Sequence, residues 1–236
     1  MRSSEADVKA NPKYFVLAKH NFYLEDAKKS FEAIGLEVVL CNQLEDIQED
    51  IRAHSENCTV FVPHYSKIID LKQFPFTRFI GFHTGDLPRD RGGSPIQNKI
   101  LQKEYLTWVS AIALEGKIDS GAIYAQREID LSEGDIEFIL RKMSLLISSM
   151  MVEIVLENMK PIPQSDNFQV RKRLSVSDSE LPKCADMDDL YDRIRMVDGL
   201  DYPKAFVKQE NYKITFSNVS KDDGVLSARA IFESSK

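Results

Sequence analysis

Several things are scarce in this sequence, and each scarcity excludes something. Three cysteines in 236 residues, Cys41, Cys58 and Cys184, lie far apart and are odd in number, so neither a disulfide framework nor a closely spaced zinc site is expected, and no metal. That usage points to a reducing, cytoplasmic setting. The net charge is −6 and no long Lys/Arg run occurs. Broad nucleic-acid binding works by neutralising phosphates, so it is disfavoured. The first dozen residues lack the apolar stretch of a signal peptide, and the longest apolar region, Met143 to Val152, is too short to span a bilayer. A soluble protein with no membrane partner is expected. Internal repeats and low-complexity tracts are lacking too.

What is present suits a packed α/β protein. With 43% hydrophobic residues, the chain can form one main domain of about 150 to 200 residues plus a smaller piece. From Tyr14 to Ile80, short β-prone runs alternate with segments of helical period, the order expected of βαβ units and a parallel sheet. Strands are expected at 14–17, 37–41, 58–62 and 78–82, and helices at 24–33 and 44–53. Pro95 suits the first position of a helix through Leu101, with Ser94 as its cap. Thr107–Ala113 and Ala122–Ile129 read as an antiparallel edge pair, and 133–159 as one long helix whose Met residues fill the core. The expected organisation is a flexible N-terminus (1–12), a catalytic domain with a Rossmann-like, mostly parallel sheet (13–160), a polar connector (161–185) and a small C-terminal α+β element (186–236). In that last piece a helix is expected at 187–197 and strands at 205–208, 213–216 and 226–232.

The loops after the third and fourth strands, beginning at His64 and His83, fall at the carboxyl ends of a parallel sheet, where ligands bind because neighbouring loops diverge. His83 ends one strand, and Asp119 lies on a later turn with Ser120 and Gly121. A carboxylate beside an imidazole fixes its tautomer, so the two together suit acid–base chemistry. Gly92 and Gly93 permit close backbone approach, either to a ligand or within a tight connection into the next helix.

The run His83-x-x-x-Leu87-Pro88-x-x-Arg91-Gly92-x-x-Pro95-Ile96, followed by Asp119-Ser120-Gly121-Ala122-Ile123 and Gln126, resembles the signature of the folate-dependent formyltransferases. That family includes methionyl-tRNA formyltransferase and the N-formyltransferases of nucleotide-linked amino sugars. Tyr65-Ser66-Lys67-Ile68-Ile69 occupies the place of a loop lining the pterin pocket. Ile194-Arg195 with Tyr202-Pro203-x-Ala205-Phe206 looks like the entry to the second domain, so the likeness runs from about Tyr14 to Phe216. It implies transfer of a formyl group from N10-formyltetrahydrofolate to a primary amine, an acyl transfer that needs a donor at the developing oxyanion and a route for the amine proton. His83 and Asp119 would carry the chemistry, while Tyr65, Ser66, Lys67, Ile68, Ile118 and Asp119 would hold the folate.

Gly81 stands where the family usually has an Asn that donates to the formyl oxygen. Asn98, in the first turn of the helix after Pro95, is the candidate substitute, with a plain surface position as the alternative. For the acceptor, Arg89, Arg91, Gly92, Gly93, Ser94 and Gln97 form a candidate diphosphate site, unless the arginines pair with Asp86 and Asp90. Tyr105, Trp108 and Tyr202 are candidate platforms for a base. Arg171-Lys172-Arg173, the one compact basic cluster, reads as a tether for the connector. With only about fifty residues after the connector and an acidic chain, a nucleotide-linked amino sugar destined for a surface polysaccharide suits better than tRNA. The alternatives are a methionyl-tRNA or other amine formyltransferase, a folate-binding protein without catalysis, and hydrolysis of the donor. Sheet edges in the C-terminal element make a homodimer plausible.

Overall fold

The protein is seen here as a computed structural model that describes residues 12–65, 67–184, 186–199 and 201–234. The expected N-terminal segment, apart from Pro12, lies outside them. Strand β1 (Lys13–Leu17) is buried along nearly its whole length, as a strand covered on both faces must be. Helix α1 (Asn21–Ala33) turns Tyr23, Leu24, Ala27 and Phe31 inward, a single helical face. β2 (Val39–Cys41), α2 (Gln48–Ala53), β3 (Cys58–Val62) and β4 (Arg78–Thr84) follow. The expected helix 44–53 is in fact a 3-10 turn, Leu44–Asp46, and then α2, because Ile47 between them has φ −123° and leaves the helical region.

A loop with the short strand β5 (Asp90–Gly92) leads into α3 (Pro95–Leu101), which has Pro95 in its first turn. β6 (Leu106–Ala113) and β7 (Ile123–Asp130) complete a six-stranded sheet of order β2-β1-β3-β4-β6-β7. Its first four strands run parallel and β6 and β7 antiparallel, the Rossmann-like arrangement expected. α4 (Ile136–Leu156) starts three residues later than its apolar pattern suggests, because Asp135 accepts from the Phe138 amide and caps it there. One core, including Val16, Phe31, Phe61, Ile80, Met143 and Ile147, fills the space between the sheet and α1 and α4. A second, including Phe15, Leu17, Ile51, Val60 and Phe79, lies on the opposite face.

Beyond α4 the chain returns to the sheet. β8 (Gln169–Arg171) pairs in parallel with β5, so the connector runs along the loop after β4. α5 (Met187–Arg195) precedes β9 (Phe206–Lys208), β10 (Tyr212–Asp222) and β11 (Val225–Ser234), a three-stranded antiparallel sheet of order β11-β10-β9. Its hairpin is longer than expected and turns at Asp223-Gly224, both at positive φ, a type I′ pair joining two long strands whose register shifts between Ser217 and Ser220. Arg195 is fully buried and donates to Asp192 at 2.6 Å, while Asp192 also receives Lys103 at 2.6 Å and the Tyr105 hydroxyl at 2.5 Å. This cluster fastens α5 to the segment between α3 and β6. Among the described residues no helix is long and apolar enough to cross a membrane.

Candidate active site

His83 lies near the carboxyl end of β4, opposite Ser110 of β6, and is 7% exposed. Asp119 comes from the loop between β6 and β7 with φ 51°, a left-handed conformation that Asp enters more readily than most residues. The loop delivers its Oδ2 to 3.4 Å from His83 Nδ1, where it also accepts from the Gly92 amide at 3.0 Å. Gln164 holds the turn by donating to the main-chain oxygens of Asp119 (2.9 Å) and Gly121 (2.6 Å). Burial alone would raise the Asp119 carboxyl, but His83, the Gly92 amide and Arg91 together hold it below the usual carboxylate range. On the other side of the ring, His83 Nε2 lies 2.8 Å from the Asp90 main-chain oxygen.

The position of the missing Asn is covered by Leu114: a β-carbon on Gly81 would lie 2.5 Å from Leu114 Cδ2, so a side chain there requires Leu114 to move. Asn98 does not replace it, because its Nδ2 donates to the main-chain oxygens of Gly93 (2.9 Å) and Lys172 (3.0 Å) and has no N–H left for a substrate.

Most of the expected diphosphate site is also committed within the protein. Arg91 is 8% exposed, donates to Gln164 Oε1 and the Ser165 main-chain oxygen, and stacks on Phe168. Arg89 is exposed and pairs with Asp86. Gly92 and Gly93 make room for the connector, since β-carbons there would lie 2.4 Å from the Arg171 main-chain oxygen and 2.5 Å from Arg173 Cβ. Ser94 has φ 48° and does not cap α3; its hydroxyl accepts from the Leu174 amide. Gln97 is buried and donates to the Met196 main-chain oxygen. Of the candidate base platforms, Tyr105 is tied to Asp192 and Tyr202 is half-buried against the core, which leaves Trp108 partly open at 39% exposed. Arg171 does act as a tether, through Asp90.

On the proposed folate side, Ile68 and Ile118 are 99% and 81% exposed. Tyr65 packs against the second core and Lys67 pairs with Gln43. Ser66 lies outside the described residues. Sequence reasoning missed Gln164 and Lys99, which carried no motif signal, and named Asp90 only as a partner for the loop arginines and Arg171 only as a tether. Among the described residues no group of three His, Cys, Asp or Glu side chains could hold a metal. What the arrangement offers chemically is an imidazole, oriented on both edges, beside an ionised carboxylate at a strand end.

Comparison with known proteins finds formyltransferases. The family described as the methionyl-tRNA formyltransferase C-terminal domain matches residues 176–233. A methionyl-tRNA formyltransferase of Wolbachia pipientis is 32% identical over 138 residues, covering 57% of this chain and 44% of its own length. The chain thus spans less than half of that relative. A solved methionyl-tRNA formyltransferase from Clostridium thermocellum superposes with TM-score 0.86 at 29% identity, over 94% of this chain and 99% of its own. An N-formyltransferase from Helicobacter canadensis, solved with folinic acid and dTDP-3-aminofucose, shares the fold with TM-score 0.60 at 14% identity, over 94% and 99% of the two chains. The chain has the formyltransferase fold, and its relatives in sequence are formyltransferases.

Proposed function

We propose that this protein transfers a formyl group from N10-formyltetrahydrofolate to a primary amine, with His83 and Asp119 moving the proton. The observation that carries this reading is the 3.4 Å approach of Asp119 Oδ2 to His83 Nδ1 at the carboxyl end of β4, within the motif that resembles the family's. When bound, the donor supplies an activated one-carbon group. Ile68 and Ile118, exposed apolar side chains on loops, offer cover for its flat ring. Asp119 stays ionised and orients His83, and His83 removes the proton that the acceptor amine must lose.

For the acceptor we infer a small amine, a nucleotide-linked amino sugar. Arg91 and Arg171 are spent on internal contacts. In the C-terminal sheet Lys208, Lys213, Lys221 and Arg229 are matched by Glu210, Asp222, Asp223 and Glu233, which leaves little basic surface for a tRNA. The C-terminal domain match favours the other acceptor, a methionyl-tRNA. Offering the purified protein both acceptors with the formyl donor decides between them. A second reading, folate binding without transfer, is favoured by Leu114 covering the Asn position; it requires folate binding with no turnover on any amine. Strand β11, outermost of the three-stranded sheet among the described residues, exposes Ile231 and Phe232, a surface suited to pairing with a second copy.

A further inference from the structure

Of the His83–Asp119 pair, Asp119 alone sits on a loop, and that loop is gripped from three directions. Its base closes where the Ala113 amide donates to the Ala122 main-chain oxygen at 2.9 Å. Gly121 is pressed against β6 so closely that a β-carbon there would lie 1.7 Å from the Ala113 main-chain oxygen. The third grip comes from the connector. Ile123 and Ile162 form an antiparallel bridge, the amide of each donating to the oxygen of the other at 2.8 Å. Antiparallel register sets the residue two before Ile123 against the residue two after Ile162, so Gln164 arrives opposite Gly121. Its Nε2 then donates to the main-chain oxygens of Asp119 (2.9 Å) and Gly121 (2.6 Å), which uses both of its N–H groups.

The sense of that amide is fixed from its other end. Arg91 Nε and Nη2 both reach the single oxygen Oε1, at 3.2 and 2.9 Å, and Nη2 also reaches the Ser165 main-chain oxygen at 3.2 Å. A guanidinium only donates and a carbonyl only accepts, so a flipped amide would set donor against donor and acceptor against acceptor. Arg91 is itself held, its guanidinium 4.2 Å from the centre of the Phe168 ring. The next residue completes the circuit, because the Gly92 amide donates to Asp119 Oδ2 at 3.0 Å. Adjacent residues of β5 therefore fix both ends of Asp119, its main chain through Gln164 and its carboxylate directly.

We propose that Gln164 is a positioning residue for Asp119: with its amide oriented by Arg91, it holds the loop so that the carboxylate meets both His83 and the Gly92 amide. The catalytic consequence rests on the formyl-transfer reading, whereas the placement of Asp119 is a property of the folded protein alone. What the position needs is a donor. Glutamate has the same length and keeps an acceptor for Arg91, yet it offers no N–H to the two main-chain oxygens.

The test uses the full chain labelled with 15N-glycine and with 13C at the carbonyls of arginine and threonine. Arg91-Gly92 is the sole Arg-Gly step in the sequence and Thr84-Gly85 the sole Thr-Gly step, so both amides are picked out. In Gln164→Glu, hydrogen exchange of the Gly92 amide should be about tenfold faster or more, while the Gly85 amide, which donates to the Trp108 main-chain oxygen at 2.8 Å, keeps its wild-type rate. In parallel, kcat should fall about tenfold while KM for the formyl donor changes little, as expected when a reacting group is misplaced. Should Gln164→Glu not fold, Gln164→Met, which has similar length and neither donor nor charge, should give the same results. Unchanged exchange at Gly92 in a folded Gln164→Glu or Gln164→Met variant would overturn the proposal, as would equal acceleration at Gly92 and Gly85, or an unchanged kcat beside a faster Gly92. If Gly92 alone responds while even the wild type formylates no amine, the positioning stands and the proposed function fails.

Discussion

At the scale of single residues, two contacts carry the proposed chemistry and one absence complicates it. His83→Ala and Asp119→Ala should each lower turnover about a hundredfold, the range for acid–base groups. His83→Ala should leave thermal unfolding near that of the wild type, whereas Asp119→Ala also removes the acceptor of the Gly92 amide. The pH dependence of stability has a defined sign. Asp90 is held below its ordinary 3.8, with burial opposed by Lys99 and Arg171, and Asp119 is lowered as well. Their contribution is present above the unfolded-state values near pH 4 and lost as pH falls through the lower folded values. Urea unfolding of Asp90→Asn at pH 7 and pH 3 should therefore show a smaller acid-induced loss than the wild type. Gly81→Asn by itself should not restore a donor, because Leu114 covers the position. Gly81→Asn with Leu114→Ala should raise turnover above Gly81→Asn, and equal rates would remove Leu114 from consideration.

Among the elements, the sheet was readable from sequence, whereas for the connector only its presence and its basic tether were, not the residues it docks on. Cys58–Val62 and Pro95–Leu101 fall where apolar runs and a proline predict them, since burial and backbone chemistry act there over a few neighbouring residues. His83 and Asp119 could be singled out for the same local reason, a strand end and a turn. Arg91, Asn98, Ser94 and Gln97 could not be placed, because their partners Gln164, Lys172, Leu174 and Met196 lie far along the chain. Gly92-Gly93 shows the limit well. The pair signals close approach correctly, yet the approaching group is the connector. Gly92, at φ 112°, accordingly predicts that Gly92→Ala costs about 2 kcal/mol or more by backbone strain and a clash with Arg171. Chemical denaturation measures this, and a change under about 0.5 kcal/mol would mean that the connector is not docked as described.

For the molecule as a whole, the C-terminal element and the site-bearing sheet are joined by a buried charge cluster. Removing Arg195, whose side chain is wholly buried and donates to Asp192 and to the Gly134 main-chain oxygen, should cost about 1 to 3 kcal/mol, because two buried acceptors each lose a donor while Asp192 keeps Lys103 and the Tyr105 hydroxyl. The exposed edge of β11 makes a further claim: light scattering should find a dimer in the wild type and a monomer in Phe232→Lys, and an unchanged mass would place any interface elsewhere. Formyl transfer is the central claim, and one assay reaches it most directly. Purified protein is incubated with N10-formyltetrahydrofolate and either amino-sugar nucleotides or methionyl-tRNA, following tetrahydrofolate release and formamide formation. The predicted result is one formamide per tetrahydrofolate on an amino-sugar nucleotide, about a hundredfold slower in His83→Ala. Folate release at the same rate without any amine, or folate binding with no turnover on any acceptor, would contradict it.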